Sequence, residues 1–247
     1  MVDVSLRHKP SPGVPREAGP LLDKTSAARA RAWRLFAGLV GLAVIAGALY
    51  LHGLGQGTVG GVTDPTPVAL TVAGHDLLVP ANMLRDGALR HGGTVARVDI
   101  ALHWPDFRGY TEATADDFIR GDPRAPIIYA SISGQVSPLD ATARLDTVYA
   151  RFFTGEPVAG PAGLVGRTLN PDSGFGGEIV YFLPSAQQPF VARCPARETP
   201  EVPATCLRDI NLGSDLTILF RFDRNLLGHW QQLEAGMRQL TANLLVR

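Results

Sequence analysis

The sequence predicts an α+β domain with a mostly antiparallel sheet covered by a C-terminal amphipathic helix and one further helix, all preceded by a single transmembrane helix. Three observations predict it. Short alternating or β-branched runs recur through the second two-thirds of the chain, only two segments carry helical periodicity, and residues 35–63 contain no Asp, Glu, Lys or Arg.

At the N-terminus, residues 1–32 form a basic tail in which Pro10, Pro12, Pro15 and Pro20 accompany little apolar content. Such a segment buries too little surface to offset ordering entropy, and disorder is expected. Residues 33–55 follow as the span. The run from Leu35 to Leu51, extended through His52 to Leu54, is about 17 to 20 residues of apolar sequence, or roughly 26 to 30 Å of helix, enough for a hydrocarbon core. Trp33 and Arg34 suit one headgroup layer, and Tyr50 with His52 the other. Seven Lys and Arg precede the apolar run and the first after it is Arg85, so the tail is cytoplasmic and the domain lies across the membrane.

Ala46-Gly47-Ala48 has the small-x-small form of a signal-peptidase site, but the long apolar run and long tail favour an uncut anchor. Ala37 with Gly41, and Ala43 with Gly47, have the spacing that lets two spans approach, which permits homo-oligomers through the membrane. Residues 56–67 read as a Gly/Pro linker, and residues 68–247 as the α+β domain.

Within the domain, Val68 to Ala73 and Leu77 to Val79 flank Gly74-His75-Asp76 as a hairpin. Thr94 to Trp104 alternates strictly and reads as one strand, stopped by Pro105. Thr114 to Ile119 reads as a helical turn and Ile127 to Ser133 as a strand. Ser137-Pro138-Leu139-Asp140 has a helix-start pattern, with a helix expected to about Phe153 and a stop at Gly155. Residues 156–177 read as a Gly- and Pro-rich connection, and Glu178–Leu183, Phe190–Cys194 and Leu216–Phe222 as strands. Leu226, Trp230, Leu233, Met237, Leu240 and Leu244, at alternating spacings of four and three, form the stripe of the closing helix, expected to pack across the sheet.

Cys194 and Cys206, the two cysteines of the chain, lie in the outer domain and fit one structural disulfide. Eleven intervening residues fit neither a redox pair nor a metal site without further ligands.

The domain has no lysine, which removes Schiff-base chemistry, a phosphate-loop lysine and a Ser-Lys dyad. Its histidines form no H-E-x-x-H arrangement, and Ser131-Ile132-Ser133-Gly134 lacks the glycine of a nucleophile elbow. With 16 Arg against 20 acids from Asp64 onward, a nucleic-acid surface is not expected. No catalytic, cofactor or metal residues are assigned, and the chain reads as a non-enzyme. Arg85, Arg97 and His103 fall on one side of the early sheet with Trp104 at the strand end, and Arg and Trp are residue types that anchor interfaces. A solvated sheet face with a satisfied histidine accounts for the same pattern.

The stretch from Val79 to Arg85, followed by Val98-Asp99-Ile100-Ala101-Leu102-His103-Trp104-Pro105, resembles a group of uncharacterised single-span envelope proteins of Gram-negative bacteria. The resemblance covers about a third of the outer domain. It implies a bacterial inner-membrane anchor and a periplasmic domain, and carries no catalytic residues. The function expected is a membrane-anchored envelope protein whose periplasmic domain binds a protein partner or acts as an accessory subunit; the alternative is a periplasmic small-ligand sensor or binding domain.

Overall fold

The computed structural model describes residues 62–120, 122, 124–199, 204–213 and 215–246. The tail expected over 1–32, the span over 33–55 and the linker as far as residue 61 lie outside the described residues. Among the described residues, no helix is long and apolar enough to cross a membrane.

The domain is α+β, with a large antiparallel sheet and a C-terminal helix, as the sequence predicts. β1 (Pro67–Val72) and β2 (His75–Pro80) form the hairpin. Ala73 and Gly74 close it at φ 50° and 84°, the two successive left-handed residues of the tight turn whose twist matches paired strands. The alternating stretch expected as one strand is two. β3 (Gly93–Val95) pairs parallel with β1, whereas β4 (Arg97–His103) pairs antiparallel with β5 (Ile127–Gly134) in another sheet. The period of two continues through Ala96, so alternation alone hides the change of partner.

The large sheet has the order β4-β5-β11-β10-β9-β8-β7-β6, with β6 (Phe153–Ala159), β7 (Val165–Leu169), β8 (Glu178–Phe182), β9 (Val191–Pro195), β10 (Thr205–Leu212) and β11 (Leu216–Asp223). Every neighbouring pair in it is antiparallel. Two of these strands correct the sequence reading. Residues 156–177, expected as a connection, carry most of β6 and all of β7. β6 is exposed at nearly every residue, as befits an edge strand that accommodates Pro157, so it has no apolar alternation to read. β10 escapes for the opposite reason: its inward face is Cys206, Arg208 and Ile210, and an arginine interrupts the apolar pattern.

The helix expected from Ser137 to Phe153 is also shorter. After α1 (Ala115–Ile119), α2 runs from Ala141 to Thr147. Its cap is Asp140, whose Oδ1 accepts from the Ala143 N–H at 3.0 Å, while Ser137 Oγ accepts from the nearer Leu139 N–H at 3.1 Å. Val148 leaves helical geometry, and a 3₁₀ turn at Tyr149–Phe152 delivers the chain into β6. Gly155 adopts φ 67° within β6 rather than ending a helix.

One face of the large sheet is covered fully. Val98, Ile100, Ile128, Ile132, Ile218, Phe220 and Phe222 pack under Leu70, Val72, Leu77 and Val79 of the hairpin and under Leu233, Met237, Leu240 and Leu244 of α3 (Trp230–Leu244). Each large side chain so buried is worth about 1.5 to 3 kcal/mol. Leu245 bridges to Leu77, and the Val246 N–H donates to the Asp76 carbonyl at 2.9 Å, tying the end of the helix to the hairpin edge.

β9 and β10 meet at a single register pair, Leu207 opposite Arg193. Beside this seam, Cys194 and Cys206 form the expected disulfide, with both residues buried.

Candidate partner-binding face

The second face of the large sheet is covered only toward its ends. Beside β4 and β5, Phe118 of α1 packs on Ala101 and Ile127. Beyond β10, Ala141, Leu145 and Tyr149 cover Leu169, Val180 and Val191. Between these two lids the side chains of β5, β11 and β10 stand half-buried or exposed.

Register makes this opening a grid. Tyr129, Arg221, Leu207 and Arg193 lie in one row across four strands. Asp99, Ser131, Leu219 and Asp209 form the next, and Arg97, Ser133, Thr217 and Asn211 the one after. Strands sit about 4.8 Å apart, so Arg221 and Arg193 are roughly 10 Å from each other, with Leu207 between them.

Two cavities indent the grid and share Leu219 and Arg221. The smaller, about 280 Å³, is lined by Arg85, Arg97, Asp99, Tyr129, Ser131, Leu219 and Arg221. Arg85 reaches it because the 3₁₀ turn at Ala81–Met83 carries the chain from β2 back onto β4. There Leu84 bridges Ile100 and the Arg85 N–H donates to the Asp99 carbonyl at 3.0 Å. The Arg85 guanidinium lies over the Tyr129 ring, 4.8 Å from its centroid, a cation–π contact. Arg97 donates from Nη2 and Nε to Asp99 Oδ2 at 2.8 and 3.0 Å, and the Ser131 hydroxyl donates to Asp99 Oδ1.

The larger cavity, about 470 Å³, lies under α2 and is lined by Leu139, Arg144, Tyr149, Leu207, Asp209 and Thr217 among others. Arg144 crosses it, donating to Asp209 Oδ1, to the Tyr149 hydroxyl at 3.0 Å and to the Leu139 carbonyl at 2.7 Å. Burial pushes the Asp209 carboxyl above its ordinary range, against the pull of Arg144. Glu178, paired with Arg193 at 2.6 Å, is likewise raised by burial. Among the described residues, no three His, Cys, Asp or Glu side chains are placed to hold a metal ion.

Of the four residues expected at a partner site, the structure brings Arg85 and Arg97 into one cavity. His103 shares their side of β4 but sits under α1, stacked on Phe118, with Nε2 3.1 Å from Asp117 Oδ2 and Nδ1 3.5 Å from Asp106 Oδ1. Trp104 is half-buried against the main core, edge-on to Phe107 and beside His229. Tyr129, Leu219 and Arg221 were missed. The signal for the last two was present: they alternate with the buried stripe of β11 and must face the other way.

No protein-family model matches the chain, and no curated protein matches its sequence significantly. Its fold is similar to that of an immunity protein of the Stenotrophomonas maltophilia type IV secretion system. The two share 15% identity and a TM-score of 0.51, over 74% of this chain and 94% of that one. The Neisseria meningitidis iron-regulated outer membrane lipoprotein FrpD aligns over 70% of this chain and 91% of its own at 14% identity, with a TM-score of 0.43. At 15% identity the first likeness concerns the fold alone.

Proposed function

We propose that this chain is a membrane-anchored envelope protein whose folded domain binds another protein, without catalysis, through the open face of the large sheet. The observation that carries the reading is the gap between the α1 and α2 lids, where tyrosine, leucine and arginine side chains stand in register on a rigid sheet. Aromatic residues and arginine are enriched where protein interfaces concentrate their binding energy. The fold neighbour, an immunity protein of a secretion system, is in keeping with an accessory envelope role. The basic tail, the apolar run and the buried disulfide support an inner-membrane anchor with the domain in the periplasm.

A photo-crosslinking amino acid at Leu219 of the full chain tests the reading. A protein adduct is expected there and not at Leu78, which is 46% exposed on the small sheet; an adduct at Leu78 with none at Leu219 overturns it. A C-terminal alkaline phosphatase fusion should be active in intact cells, and an inactive phosphatase fusion beside an active β-galactosidase fusion at the same position would overturn the topology.

A small-ligand sensor is the second reading, supported by the cavity of about 470 Å³ under α2, a size in the range of ligand pockets. A small molecule retained in native mass spectra, with no crosslink at Leu219, would favour it.

A further inference from the structure

The cavity of about 280 Å³ on the open face contains three arginines and one aspartate, although the domain as a whole carries more acid than base. Its internal pairing leaves two positive charges over. Asp99 is taken up on one oxygen by Arg97 and on the other by the Ser131 hydroxyl. Arg85 and Arg221 have no carboxylate partner among the described residues. Arg85 is held from below by the Tyr129 ring, and its buried Nε–H meets no acceptor among the described residues. Arg221 stands opposite Tyr129 in the strand register and lines the same cavity as Arg85.

Two planar guanidinium forks lining one cavity match a carboxylate or another oxyanion. The neighbouring Leu219 and Leu207 add apolar surface on the same face, which suits a polypeptide better than a free ion.

We propose that Arg85 and Arg221 form a clamp for the carboxylates of an acidic protein segment, laid across β5 and β11 on the open face. This deepens the protein-binding reading above and rests on it. Asp99 sets the polarity of the clamp: it holds Arg97 aside and leaves the other two arginines for the partner. The cavity is thereby selective against basic segments, for which it offers no carboxylate besides the paired Asp99 among the described residues.

The probe is a fluorescein-labelled acetyl-octaglutamate peptide, titrated into the full chain in mild detergent at low ionic strength, where charge pairing is least screened, and followed by anisotropy. Arg221→Glu is expected to weaken binding at least tenfold and Arg85→Gln about tenfold, the size of one charge-assisted hydrogen bond. Arg151→Glu, an exposed arginine outside the cavity, should change it less than twofold. Arg221 is itself exposed, so its variant should melt with the unaltered protein; should Arg85→Gln unfold, Arg221→Glu and Arg221→Gln carry the test. Equal losses in Arg151→Glu and Arg221→Glu, or no loss in Arg221→Glu, overturn the clamp. So does displacement of the peptide by inorganic phosphate beyond that by chloride at equal ionic strength, which assigns the cavity to a free oxyanion. A Leu219 crosslink with octaglutamate binding indifferent to Arg221 sinks the clamp and leaves the protein-binding reading standing. Arg221-dependent binding with no Leu219 crosslink overturns the protein-binding reading and, with it, a protein segment as the occupant, leaving only an anion-binding pair of arginines.

Discussion

Arg208 and Glu234 form a two-point ion pair between the covered face of β10 and α3, Nε to Oε2 at 2.7 Å and Nη2 to Oε1 at 2.9 Å. The arginine side chain is 1% exposed and the glutamate 16%. Arg208 Nη1 also donates to the Val191 carbonyl at 2.7 Å, so one guanidinium ties β10, β9 and α3 together. Removing one partner strands a buried charge: Glu234→Ala should cost about 3 to 5 kcal/mol. Replacing both, Arg208→Met with Glu234→Leu, should recover most of that loss, as denaturant titration would show; a double variant as unstable as the single one would refute the account.

The same pair sets an acid limit. Burial raises the Glu234 carboxyl, but the hydrogen bond and charge of Arg208, with Arg238, outweigh it and hold the group below its ordinary value of 4.5. A lowered carboxylate stabilises the fold fully above that value, and the contribution is lost as pH falls through the folded-state value. Stability measured between pH 6 and 3 should therefore fall more steeply below about 4.5 in the unaltered protein than in Glu234→Gln. Parallel curves would rule out Glu234 as the source.

Gly236 lies in the middle of α3, where alanine is ordinarily favoured by about 1 kcal/mol. A Cβ at this position would overlap the Phe107 ring, which packs edge-on against Trp104. Gly236→Ala should thus lower stability by about 1 to 3 kcal/mol through overpacking. In a Phe107→Ala background the same change should become neutral or favourable, and calorimetry of the four proteins in the cycle distinguishes the two signs.

The Cys194–Cys206 bond closes a loop over a seam with only one register pair. Changing both cysteines to alanine should cost about 3 kcal/mol in the chain-entropy account. Protease cleavage should appear first in the loop between the two positions, and an unchanged melting temperature would show that β9 and β10 hold without the staple.

The elements legible in the sequence were those whose side chains obey one period over a covered face. β1, β2, β5, β8, β11 and the α3 stripe read correctly because Leu216, Ile218, Phe220 and Phe222, or Leu233, Met237 and Leu240, meet one apolar surface. β6 faces solvent and β10 carries Arg208 inward, so neither shows that pattern. The start of α2 was misplaced because two acceptors, Ser137 and Asp140, compete for neighbouring amides, and sequence does not say which one the helix adopts.

The candidate face was half legible. Arg85 and Arg97 were drawn together by their place near β4, but Tyr129 and Arg221 come from strands 92 residues apart in number and become neighbours only through the order β5-β11. His103 and Trp104 are adjacent in sequence and turn to opposite sides of the sheet, so proximity along the chain was the misleading cue.

Both sulfurs of the disulfide belong to residues at 1% exposure or less, on the side of the sheet sealed by the hairpin and α3. A soluble reductant has no collision path to either atom while the domain stays closed. The crosslink is therefore a record rather than a sensor: it reports the surroundings in which the polypeptide folded, and later changes in those surroundings leave it unaltered for as long as the fold lasts.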